Sequence, residues 1–173
     1  MNHATQARKR ARQYENVVAR HGVLIAPVSW DGEARTWDLH LRYGGAQLLL
    51  VIDADDPEFV RLLMPNFWAF TSEKSPAVLR GIERVNRSCK CGKVHMNAKG
   101  DDVTASVEFL DTREDVDAHA LLRYLDMTIA TARAFVECVE PQMLASDSTR
   151  YVADSVPATS GELSPTHADH RLH

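Results

Sequence analysis

Two hydrophobic rhythms alternate along this chain, and their order constrains the fold more than any motif does. Short segments that repeat every second residue lie between longer ones that repeat near every ~3.6 residues. The order is helix, three strands, helix, two strands, helix. Ala4 to His21 reads as the first helix, with Ala7, Ala11, Tyr14, Val17, Val18 and His21 on one side and Gly22 placed to end it. From Arg35 to Tyr43, Trp37, Leu39, Leu41 and Tyr43 alternate with Asp38, His40 and Arg42, which is the pattern of a half-buried strand. Gly44 and Gly45 can take the positive φ angles of a two-residue hairpin, and Gln47 to Asp53 follows as a nearly continuous apolar run suited to a central strand. Asp55, Asp56 and Pro57 make the next turn, and Glu58 to Met64 resumes strand character as far as Pro65. The segment Val23 to Val28 contains Pro27, which cannot donate to a sheet ladder, so it reads as a connector or an edge strand.

Ser75 with Pro76 at a first helical position opens a second helix carrying Val78, Ile82, Val85 and Cys89 at helical spacing. Val94, Met96 and Ala98, then Val103, Ala105, Val107 and Phe109, form a second hairpin around Gly100. Asp117 caps a third helix with a stripe of Leu121, Leu125, Thr128, Ala132, Phe135 or Val136, and Val139, stopped by Pro141. The expected architecture is α+β: an antiparallel five-stranded sheet packed with helices in the order α-β-β-β-α-β-β-α. It forms one domain over residues 1–140, with an N-terminal helix at 4–21 and a core at 22–140. Residues 141–173 turn to Ser, Thr, Asp, His and Pro, whose burial would hardly offset their ordering entropy, and are expected to form a disordered tail.

The length of 173 residues with 45% hydrophobic content is enough for one ordinary core. A formal net charge of −4 gives no general attraction to phosphate backbones, so nucleic acid is not the expected partner. No segment approaches the ~20 apolar residues of a membrane span, and no signal-like apolar run follows the early arginines. Three cysteines in such a chain point to reduced thiols and a cytoplasmic address.

A family resemblance rests on particular residues. Val51, Ile52, Asp53, then Asp55, Asp56, Pro57, Glu58, Phe59, Val60, Arg61, Leu62, then Pro65, Asn66, Phe67, Trp68, resemble the YbjN family of bacterial sensory transduction regulators. Helix two with Val85 and Asn86, a bend, and Lys93 with Val94 is similar to that family's second half. The resemblance covers roughly Gly22 to Glu140. It implies a fold shared with type III secretion chaperones, a protein-binding role and, since such chaperones commonly pair, a homodimer. Its motifs are hydrophobic and turn patterns that carry no catalytic signature. The Cys89-Lys90-Cys91 bend, the basic front of helix one and the long tail depart from it.

Several constellations stand against plainer readings. Cys89, Cys91 and His95, with Cys138, could supply soft zinc ligands or a thiol switch, but their spacing is poor for either and buried or idle thiols are favoured. Asp53, Asp55, Asp56 and Glu58 read as a solvated turn, lacking the Gly and distal Glu of a calcium loop. The basic run Arg8 to Arg12 reads as the wet face of helix one. No phosphate loop, nucleophile elbow or paired-histidine metal motif occurs, and the only hint of an unrecognised active site is His40 beside Asp38 and Arg42. Phe67, Trp68 and Phe70 either seal the sheet or anchor a protein interface. The expected function is therefore a non-catalytic, cofactor-free module, chaperone-like or regulatory, that binds another polypeptide. The sheet's edge strand is one acceptor for it. The alternatives are a thiol- or zinc-dependent regulator using Cys89, Cys91 and His95, and an enzyme of unrecognised site.

Overall fold

The computed structural model describes residues 3–71, 74–97 and 99–153, with backbone alone for 144–153. The elements are α1 (His3–Arg20), β1 (Ser29–Asp31), β2 (Thr36–Tyr43), β3 (Ala46–Asp53), β4 (Phe59–Ala69), α2 (Ser75–Ser88), β5 (Gly92–Met96), β6 (Asp102–Leu110) and α3 (Ala118–Ala153). The strands form one antiparallel sheet in the order β1-β2-β3-β4-β6-β5. Thus the α+β antiparallel architecture holds, with six strands where the sequence pattern shows five.

The register explains the two rhythms. Leu39 pairs with Leu50, Leu50 with Leu62, Leu62 with Val107, and Val107 with Gly92, so one row of side chains crosses the sheet on a single face. The neighbouring row, Trp37, Ile52, Val60 and Phe109, shares that face. Helices cover it. Ala7, Ala11, Tyr14 and Val18 of α1 and Leu121, Leu125 and Ile129 of α3 pack onto Leu39, Leu41, Leu48, Leu50, Ile52, Val60 and Leu62. A second cluster joins Val78 and Val85 of α2 to Val94, Val103 and Ala105 of the sheet and to Ala132, Phe135, Val139 and Met143 of α3. The stripe along α3 therefore serves both clusters. Phe135, and not Val136, is its fully buried member.

Local chemistry sets the joints. Gly44 and Gly45 have φ of +56° and +81°, the conformation of the tight β2–β3 turn. Asp117 accepts hydrogen bonds from the N–H groups of His119 (2.9 Å) and Ala120 (3.1 Å), which caps α3 as its sequence indicates. The Asn86 side chain accepts from the Val94 N–H at 2.7 Å and donates to the Val94 carbonyl at 2.9 Å, tying the end of α2 to β5.

Three boundaries differ from the sequence reading, each for a physical reason. The sixth strand, β1, is too short to show a period, and it follows a broken edge in which Ile25 N–H donates to the His40 carbonyl (2.9 Å) before Pro27 interrupts the ladder. β4 does not stop at Pro65. The register shifts between Met64 and Trp68, Asn66 takes a φ of 49°, and pairing resumes at Trp68 with Val103. A bulge is where a proline's missing donor is tolerated. Likewise α3 does not stop at Pro141 but continues to Ala153. Proline forfeits one intrahelical bond, yet Val139 and Met143 on either side are buried in the second cluster, and the Gln142 side chain donates to the Cys138 carbonyl at 2.9 Å. Of the tail, residues 154–173 lie outside the described residues, as does Ala98 of the second hairpin.

Gly81 marks the closest approach of α2 to α3: a Cβ there would lie 2.2 Å from Cγ2 of Val139, a stiff, fully buried side chain. Gly81→Ala is expected to lower stability in urea unfolding by about 1–3 kcal/mol through overpacking. That exceeds the ~1 kcal/mol an alanine normally gains in a helix interior, and a stabilised variant would show the helices packed otherwise.

Candidate functional site: an apolar groove beside the third helix

Because the β2–β3 turn is made of two glycines, nothing from it fills the space between that turn and α3. Gly45 has no neighbour within 4 Å of where a Cβ would stand, and a Cβ at Gly44 would meet only Ile129 Cδ1, at 3.2 Å. The result is an open hollow of about 420 Å³ lined by Gly44, Gly45, Ala46, Met64, Phe67, Ile129, Ala132 and Val136, with Arg133 and Glu137 at the rim. A second hollow of about 640 Å³ adjoins it along α3 and shares Gly44, Ile129, Arg133 and Glu137, adding Tyr43, Asp126, Ala130 and Ala134. The Tyr43 hydroxyl donates to Asp126, and that bond, with slight desolvation, pushes its pKa above the ordinary value. The two hollows together combine an apolar floor with a charged rim of Asp126, Arg133 and Glu137.

A buried polar clasp holds the other end of the helical layer. Arg10 is 7% exposed and Asp111 2%. Arg10 Nη2 lies 2.8 Å from Asp111 Oδ2 and donates to the Asp111 carbonyl at 2.8 Å, Tyr14 Oη donates to Oδ2 at 2.5 Å, and Arg113 Nε reaches Oδ1 at 3.0 Å. Burial first, then the bond to Asp111, raises the Tyr14 hydroxyl far beyond its ordinary pKa, so it remains a neutral donor. Arg113 also pairs with Asp117 at 2.8 Å. The basic front of α1 is thus not simply its wet face: Arg10 is a structural pin between α1 and the β6–α3 connection. A buried arginine looks like its exposed neighbours in sequence, and only its place one turn from Ala7 and Tyr14 could have marked it.

Phe67, Trp68 and Phe70 all pack, half-buried, against the second cluster. Phe67 and Trp68 meet Phe135 edge to face at 5.7 and 6.2 Å, and of the three Phe67 lines the groove. Cys89 caps the end of α2 and packs against the second cluster, Cys91 is exposed in the bend, and His95 is exposed on β5. Among the described residues no group of three His, Cys, Asp or Glu stands where it could hold a metal, so Cys89, Cys91, His95 and Cys138 do not converge. Asp53 and Asp55 serve the turn they occupy: Asp53 accepts from the Asp55 N–H at 2.8 Å and Asp55 pairs with Arg35 at 2.7 Å. Asp38, His40 and Arg42 alternate with the buried Leu39 and Leu41, on the sheet face opposite the helices; Asp38 accepts from Thr36 Oγ1 at 2.8 Å, while His40 and Arg42 are exposed. The groove itself was not legible in sequence, since its walls come from residues far apart in the chain.

These features define an α+β protein whose helices cover one sheet face and leave an apolar groove at a glycine turn. The YbjN family, described as "Putative bacterial sensory transduction regulator", matches residues 15–141, and the chain belongs to that family. No curated protein matches it. Among solved structures, an uncharacterized protein from Methanothermobacter thermautotrophicus is similar in fold, with a TM-score of 0.59 and 8% identity over 77% of this chain and 98% of that one. No helix among the described residues is long and apolar enough to cross a membrane.

Asp111→Ala strands the Arg10 charge in the interior and is expected to cost about 3–5 kcal/mol in urea unfolding, whereas Arg113→Ala, removing a half-exposed partner, costs at most ~1 kcal/mol. Equal losses would mean that Arg10 is solvated. The Asp117 carboxyl is held below its ordinary value of 3.8, chiefly by the Ala120 N–H, with His119 N–H and Arg113 adding to it. A depressed carboxylate stabilises the fold above its unfolded pKa and loses that contribution as pH falls through the folded one. Asp117→Asn, which keeps a capping oxygen, should therefore be less stable than the parent near neutrality and converge with it below about pH 4; a constant gap across pH would contradict this.

Proposed function

We propose that this chain is a non-catalytic regulatory module, chaperone-like in manner, which works in the cytoplasm by binding a basic amphipathic segment of another polypeptide in the groove beside α3. The observation that carries the reading is the apolar hollow of about 420 Å³ between the glycine turn and α3. Ile129, Val136, Met64 and Phe67 offer apolar contact there, and the rim carries Asp126 and Glu137 against the single cation Arg133. That balance favours a segment with apolar residues on one face and lysines or arginines beside them. Membership of a family described as a sensory transduction regulator supports a regulatory or binding role. The unpaired thiols Cys89, Cys91 and Cys138 suit a reducing compartment.

The groove is a better acceptor than the sheet edges. The edge strands β1 and β5 are short, and β5 presents Lys93 and His95, features that blunt an edge against strand addition. Phe67 contributes as part of the groove wall, with Trp68 and Phe70 supporting it from the core side. A second copy of the chain is the competing occupant, and its signature would be a molecular mass that rises with concentration.

Titrating the labelled full chain with an amphipathic helical peptide of Leu and Lys should shift amide resonances around Gly44–Ala46, Met64–Phe67 and Ile129–Glu137. Val136→Trp, which fills the hollow, should weaken the peptide about tenfold or more. Shifts elsewhere, or undiminished binding by the filled variant, would overturn the assignment.

A further inference from the structure

The geometry points to the outer face of α2 as a second docking surface, one that takes an acidic segment of a polypeptide partner. Arg80, Arg84 and Arg87 stand on successive turns of α2 and, with Glu83 and Ser88, line a hollow of about 280 Å³. They lie opposite Val78, Gly81 and Val85, which face the core. Between Arg80 and Lys93 the chain places five of its 20 Lys and Arg (Arg80, Arg84, Arg87, Lys90 and Lys93) and one of its 24 Asp and Glu, Glu83. A chain of net charge −4 thus concentrates positive charge on one helix and the bend after it.

The internal structure accounts for only part of this charge. Arg87 pairs with Glu83 at 2.6 Å, and Lys93 Nζ donates to the Asn86 carbonyl at 3.2 Å. Arg87 also lies in the last helical turn, where a cation complements the helix dipole. Arg80 and Arg84 gain none of these. Arg80 sits in the second turn, far from the C-terminus, and makes with Arg84 a like-charge pair four residues apart, which disfavours the helix. Neither has an ion pair among the described residues. Beside them Leu79 is 50% exposed, one of the few large apolar side chains left in water. Two guanidinium groups without an ion pair among the described residues, to one side of an exposed leucine, match a segment that carries carboxylates beside an apolar residue. Nucleic acid fits less well, because α2 offers no exposed aromatic ring on which a base could stack.

The test uses the full chain and a fluorescein-labelled peptide of Glu with spaced Leu, read by anisotropy. Binding is expected to weaken about tenfold or more between ~0.05 and ~0.5 M NaCl, and Arg80→Glu with Arg84→Glu should reduce it by about tenfold or more. Arg80→Gln with Arg84→Gln should reduce it less and guards against a folding defect in the charge reversal. Leu79→Ala should weaken binding while leaving its salt dependence intact. The groove variant Val136→Trp should bind the Glu peptide normally, and the Arg80 and Arg84 variants should bind the Leu-Lys peptide normally, so the two surfaces stand or fall separately. Equal binding of a peptide with Gln in place of Glu, indifference to the Arg80 and Arg84 changes, or tighter binding of oligo-dT at the same arginines would overturn the inference.

Discussion

The fold depends on the buried stripe of α3, which is laid across two hydrophobic clusters that the sheet alone would leave separate. Leu121, Leu125 and Ile129 complete the cluster under α1, and over the next ~4 turns Ala132, Phe135, Val139 and Met143 complete the cluster under α2. Phe135 is fully buried and is the ring against which Phe67 and Trp68 stand edge to face, an arrangement worth about 0.5–1.5 kcal/mol per pair beyond area burial. Among the described residues, α1 gives its buried side chains to the first cluster alone and α2 gives its own to the second. Without α3, each half would have to bury its own apolar face with a single helix.

The rest of the helical layer is arranged around that requirement. At the start of α3, the Asp117 cap and the Arg113 pair fix its direction, and Asp111 just upstream anchors α1 through Arg10 and Tyr14. Further along, Gly81 lets α2 close onto Val139, while elsewhere along α3 the glycine turn meets Ile129 through Gly44 with no side chain to fill the space beside it. One helix is thereby crowded at one place and open at another. The groove is what remains when a helix is placed by two cores and the nearest hairpin has no side chains to fill the gap.

Much of this was legible in the sequence, because period-two and helical patterns report directly on burial. The row Trp37, Leu39, Leu41, Tyr43 and the stripe ending at Val139 needed no tertiary knowledge. The misses share a cause: a local rule yielded to a contact made elsewhere. Pro65 lies in a bulge supported by β6, and Pro141 is carried through by the burial of Met143. Arg10 is buried because Asp111, distant in the chain, meets it. The arginines of α2 carry no signal in sequence, because charged positions opposite an apolar stripe are the ordinary dress of a surface helix, and what sets Arg80 and Arg84 apart is that they share one hollow a turn from each other near the exposed Leu79. The groove had no local signal at all, whereas the family was visible through its turn and strand residues between Val51 and Trp68.

The proposed binding role needs a rigid wall with an accessible flank, and α3 supplies both only if it is an integral part of the folded unit. Native-state hydrogen exchange measures that directly. The amides from Leu121 to Val139 are expected to exchange only through global unfolding, with the same free energy as those of β3, β4 and β6. Exchange of α3 through a smaller opening, while the sheet stays protected, would contradict the claim that this helix joins the two cores.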